Sequence, residues 1–150
     1  MGLEVLRSFL RRHRKIALDS SVFIYETDAN PKYLSLTNPV FTWLSEHDSR
    51  AVTSTVTMTK LLVLPYRDSD QQRVDKFYGL LSTYPNLEWI APNLEIADMA
   101  ARMRAVHRMR TPDALQAATA VYAQVTGLIC NDSIFQRVDL FETLVLESQL

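Results

Sequence analysis

The feature that most constrains the fold is an alternation along the chain. Apolar runs too short to be helices recur, and each is followed by a stretch with helical spacing. Ile16-Ala17-Leu18 is one such run, and Leu128-Ile129-Cys130 is another. Arg50 to Thr55, rich in β-branched residues, and Leu87 to Ala91 read as further strands, with Leu144 to Leu146 a fifth. Runs without a polar alternate need burial on both faces. Helices between them supply both covers, so the pattern predicts an α/β fold with three αβα layers and a central parallel sheet of four to five strands. Crossovers in such a sheet are right-handed, and ligands gather at the carboxyl ends of its strands.

The helical stretches can be placed in the same way. Leu3, Leu6 and Leu10 mark a leading helix. Ser20 and Ser21 offer caps for a helix beginning at Val22, and Asn38-Pro39 delays the next one to Val40–Leu44. Val56 to Leu64 has helical spacing and is expected to stop at Pro65. Asp68 to Leu81 is amphipathic, with Val74, Phe77, Tyr78 and Leu81 inward. Asn93 caps a helix to about His107, with Ile96, Ala100, Met103 and Val106 inward. Thr111 caps another, running to Val125, with Ala114, Ala118, Val121 and Val125 inward. Trp43 and Trp89 fall at packing positions. No linker, repeat or low-complexity tract interrupts the series, so 1–150 is expected to be one domain with its core at about 16–146.

Composition narrows the function classes. The 150 residues are 47% hydrophobic and 22% charged, with a net charge of −1, so any nucleic-acid contact must come from a local basic patch. Cys130 is the single cysteine, which excludes a disulfide framework and a cysteine-rich zinc site and fits a reducing cytoplasm. No apolar run approaches the roughly 20 residues that span a bilayer. Met1-Gly2 resembles the start of a myristoylation signal, but Leu6 stands where that signal needs Ser or Thr. His13, His47 and His107 are too scattered to suggest a metal cluster, and three glycines leave no phosphate loop.

Three aspartates carry the chemistry. Asp19 and Asp132 each follow an apolar run, and Asp113 falls in the first turn of the Thr111 helix. Each has an ordinary structural use: a helix cap, a favourable partner for the helix dipole, or a turn residue. Together, at the carboxyl edge of one sheet, they could share a divalent cation. Magnesium and manganese take oxygen ligands and can activate water for displacement at phosphorus. Arg102, Arg104, His107, Arg108 and Arg110 precede Asp113. Arg108 and Arg110, nearest the acids, either steer nucleic-acid phosphates or stay solvated, and the same choice holds for Arg11 to Lys15.

Four segments resemble the PIN domain family, especially its toxin-type, VapC-like members. They are Ile16-Ala17-Leu18-Asp19-Ser20-Ser21-Val22-Phe23-Ile24-Tyr25, Thr53-Ser54-Thr55-Val56-Thr57, Arg110-Thr111-Pro112-Asp113-Ala114-Leu115-Gln116-Ala117-Ala118-Thr119-Ala120 and Leu128-Ile129-Cys130-Asn131-Asp132-Ser133-Ile134-Phe135. Their order matches across about 16–138. The resemblance implies a magnesium- or manganese-dependent endoribonuclease, a hydrolase that is usually a homodimer and often the toxin inhibited by an antitoxin protein. It matches Asp19, Asp113 and Asp132 to catalytic, metal-binding acids and Ser21 to a small polar residue supporting the first.

One position departs from that pattern. The family places a glutamate in the helix after the second strand, and Lys60 stands there. A charged ammonium has donors and no acceptor, so it cannot ligate a cation. Three readings stay open: a relic that binds without catalysis, a weak one-metal enzyme, or an engineered silencing change. Two alternatives to the ribonuclease are a non-catalytic PIN domain that binds RNA or protein and, outside this family, a phosphotransfer domain with Asp19 as nucleophile. The latter wants a second acid where Ser21 stands.

Overall fold

A computed structural model describes residues 2–46 and 48–150. The expectations on Met1 and His47 therefore lie outside the described residues. The chain begins with α1 (Gly2–Arg12), β1 (Lys15–Leu18), α2 (Ser20–Thr27) and α3 (Leu34–Leu44). Then come β2 (Arg50–Ser54), α4 (Val56–Arg67), α5 (Gln71–Leu81) and β3 (Leu87–Ile90). Helices α6 (Leu94–His107) and α7 (Thr111–Tyr122) lead to β4 (Gly127–Cys130), a 3-10 turn at Ser133–Arg137 and β5 (Glu142–Val145).

The strands form one parallel sheet in the order β3-β2-β1-β4-β5, as expected from the alternation. Successive side chains point to opposite faces of a strand, and the core divides accordingly. Ile16, Leu18, Ala51, Ile129 and Leu144 join one cluster with α1 to α5. Ala17, Val52, Leu128, Cys130 and Val145 join the other with α6 and α7. Gly127 opens β4 under close approach, because a Cβ there would meet the Phe9 ring at 2.6 Å. Among the described residues, no helix is long and apolar enough to cross a membrane.

Several expected boundaries and faces are corrected. Both prolines lie inside helices: Pro39 within α3 and Pro65 within α4. Proline removes one N–H and leaves the carbonyl four residues back unpaired. For Pro39 that carbonyl belongs to Ser35, which is exposed to water, so the helix starts at Leu34 instead of Val40. Helix α5 starts at Gln71 rather than Asp68, because the Asp70 carboxylate accepts the Arg73 N–H at 3.1 Å and caps it there. Tyr78 and Val106 point outward, 50% and 72% exposed, while Phe77, Val74, Ile96 and Met103 are buried. Helix α7 ends at Tyr122, and Val125 reaches the core from the turn beyond it.

Candidate active site

Asp19 lies immediately past β1. Its backbone N–H donates to the Ile129 carbonyl of β4 at 3.0 Å, which continues the sheet pairing and fixes the residue between two central strands. It occupies the cap position of α2 in extended conformation, where Ser20 or Ser21 was expected, and its carboxylate makes no capping bond to that helix. Oδ2 accepts the Ser21 hydroxyl at 3.1 Å, whereas the buried Oδ1 has no hydrogen-bond partner among the described residues. Burial raises the Asp19 pKa above the ordinary carboxylate range. Lys60, the Ser20 amide and the Ser21 hydroxyl oppose that shift, and the charge of Asp113 adds to it.

Asp113 sits in the first turn of α7, with Pro112 beside it and Arg110 at the cap position, one residue before the expected cap Thr111. Its carboxylate is buried between two cations. Lys60 Nζ stands 3.7 Å from Oδ1, and Arg110 Nε donates to Oδ2 at 3.2 Å. Lys60 thus faces Asp113 directly and also acts on Asp19. It comes from α4 and half-emerges from the surface.

Asp132 is placed differently. It follows β4, but it is exposed, and its Oδ1 accepts the Ile134 N–H at 2.9 Å to cap the 3-10 turn. Its neighbour Asn131 ties the edge together, donating to the Tyr25 hydroxyl at 2.9 Å and accepting the Glu147 N–H at 2.8 Å. The thiol of Cys130 lies beneath the acids. Burial pushes it up to about 12, and the charges of Asp19, Asp132 and Asp113 add to the shift. Cys130 is therefore a protonated core residue, as its apolar strand suggests.

Gln116 is the residue that sequence reasoning missed. It is fully buried one turn after Asp113. Its Oε1 accepts the Ser54 N–H at the end of β2 at 2.8 Å, and its Nε2 donates to Thr57 Oγ1 at 2.9 Å. Thr53 Oγ1 in turn donates to the Leu18 carbonyl at 2.8 Å. This network locks α7 to the carboxyl ends of β1 and β2, so Asp113 and Asp19 are held by one set of bonds. The only signal in the sequence is a lone amide on the alanine face of α7.

A divalent ion can be tested against these donors. The unpartnered Asp19 Oδ1 and the oxygens of Asp113 are hard ligands of the right type. The charge balance is wrong, because Lys60 and Arg110 already supply the positive charge at Asp113. Among the described residues, no three of His, Cys, Asp and Glu group closely enough to hold an ion. Magnesium or manganese does not fit while Lys60 is charged and in place.

The basic residues divide by partner. Arg102 pairs with Asp98 at 2.8 Å, and Arg104 Nε donates to the Met109 carbonyl at 3.1 Å. Arg108 ends α6 in the left-handed conformation, with φ of 55°. Of the cluster, Arg110 alone touches a site acid among the described residues.

Comparison with known proteins places the fold. Solved structures share the fold at low sequence identity. VapBC2 from Rickettsia felis, bound to a DNA fragment from the promoter, matches with a TM-score of 0.68 and 15% identity, covering 87% of this chain and 98% of that one. VapBC-1 from nontypeable Haemophilus influenzae gives 0.66 and 19%, covering 89% and 98%. A VapBC toxin–antitoxin member from Mycobacterium tuberculosis gives 0.59 and 22%, covering 88% and 98%. No curated protein sequence matches the chain. The model of the PIN domain matches residues 16–140, from the first strand to the loop before the last, and the chain belongs to the PIN domain family.

Proposed function

We propose that this chain is a toxin-type PIN endoribonuclease, dependent on magnesium or manganese, whose activity Lys60 holds down. The observation that carries the reading is the buried pair Asp19 and Asp113 at the carboxyl edge of a parallel sheet, locked together through Gln116. A phosphodiester can approach that edge, and two buried acids there suit the orientation and deprotonation of water. In this reading Asp132 completes the acids, Ser21 holds the Asp19 carboxylate, and Arg108 and Arg110 receive RNA phosphates. Metal binding requires Lys60 to leave Asp113, so turnover is slow. The similarity to VapBC complexes supports a toxin role with an antitoxin partner, and the family resemblance adds a homodimer in the cytoplasm.

The ion pair between Lys60 and Asp113 favours a second reading, a PIN domain that binds RNA or protein without cutting. One substitution separates the two. Lys60→Glu is expected to raise manganese-dependent cleavage of single-stranded RNA by about tenfold or more, because a lost cation and a gained ligand both act on the same step. Equal rates for the two proteins on one substrate would discard the restrained-enzyme reading in favour of the binding one.

A further inference from the structure

The disagreement between this site and a divalent ion has its own consequence. We infer that the Asp113 site accepts an anion where its family pattern implies a cation: Lys60 and Arg110 bind a phosphodiester oxygen of single-stranded RNA with no metal present. The inference rests on the ribonuclease reading for its choice of ligand, and it concerns binding alone.

Three observations carry it. The first is the order of exposure. The Asp113 side chain is 6% exposed, whereas those of Lys60 and Arg110 are 31% and 77% exposed, so an incoming group meets the cations before the acid. The second is unused donor capacity. At 3.7 Å the ammonium of Lys60 is in an ion pair and not a hydrogen bond, and among the described residues it makes no hydrogen bond at all. Arg110 spends only Nε, which leaves both terminal nitrogens to donate. The third is pre-organisation. Asp113 is fixed in the first turn of α7 and holds one cation at each carboxylate oxygen, so neither long side chain must be ordered from scratch on binding. Charge-assisted bonds from an ammonium and a guanidinium are what a phosphodiester requires. Of the opposing acids, Asp19 is buried, while Asp132 is exposed and has its Oδ1 engaged by the Ile134 N–H.

The test is fluorescence anisotropy of a labelled single-stranded RNA oligonucleotide with the full chain in excess EDTA. Binding is expected in EDTA, with a change of less than about twofold when manganese replaces the chelator, since no site charge depends on the ion. Lys60→Ala is expected to weaken binding about tenfold and to lower the salt slope by about one, as loss of a phosphate contact does. Lys60→Arg, which keeps the charge, retains binding. Circular dichroism melting confirms that each variant is folded. Binding that appears only with manganese, or a folded Lys60→Ala that binds like the parent, would overturn the inference. Those outcomes leave the Lys60→Glu cleavage assay untouched, so this claim and the nuclease reading fail separately.

Discussion

The two faces of the sheet are built on opposite plans. The face under α1 to α5 is filled by large side chains: Phe9, Phe23, Phe41, Phe77 and Leu44. The face under α6 and α7 is filled mainly by small ones, with Ala114, Ala117, Ala118 and Ala120 wholly buried. Aromatic rings bury much apolar area each and dominate stability. Alanines bury little, but they let α7 approach the strands closely enough for Gln116 to reach the Ser54 backbone. The bulky face stabilises the domain, and the small-residue face sets the distance between Asp113 and Asp19.

Substitutions on each face can break this contrast. Phe77→Ala empties a fully buried ring position on the bulky face and is expected to cost about 3–5 kcal/mol. Urea denaturation measures it, and RNA affinity per folded molecule is expected to be unchanged. Ala118→Leu forces extra volume beneath α7 and is expected to cost about 1–3 kcal/mol. Here RNA affinity falls as well, because the helix that carries Asp113 and Arg110 must shift. Equal effects of the two changes on affinity would dissolve the contrast.

The smallest effect concerns Cys130, on the small-residue face. Its thiol is held up to about 12, so at pH 8 the native protein is expected to resist iodoacetamide and to be labelled only on unfolding, read by mass spectrometry. The sign for stability follows from the same shift. A thiol raised in the folded state above its ordinary 9.0 favours the protonated form, so its contribution is lost as pH climbs from about 9 towards 12. Rapid native labelling at pH 8 would show that this face is looser than its packing implies.

Much of this architecture was legible in the sequence. The unbroken apolar runs at Ile16-Ala17-Leu18 and Leu128-Ile129-Cys130 identified strands buried on both faces, and the alternation implied a parallel sheet. Pro39 misled because its cost depends on whether the orphaned Ser35 carbonyl reaches water, which local sequence does not encode; Pro65 also lies within its helix, although Leu61, four residues back, is buried. Tyr78 and Val106 misled because helical spacing permits an apolar residue at the edge of a buried stripe without requiring it. At the site, Asp19 and Asp113 were visible as carboxylates at strand and helix ends, and Lys60 as a misplaced cation. Gln116 was not visible, because its role exists only once α7 lies across β2. Asp132 carried the same local signature as Asp19, yet its carboxylate caps an exposed 3-10 turn while that of Asp19 is buried.

Lys60 takes the cation's place beside Asp113. A crystal structure of the chain soaked in manganese, read by anomalous scattering at the manganese edge, tests it most directly. No manganese is expected between Asp19 and Asp113 in the chain with Lys60, and a peak is expected there in Lys60→Glu. Manganese bound among Asp19, Asp113 and Asp132 with Lys60 still charged and present would contradict it.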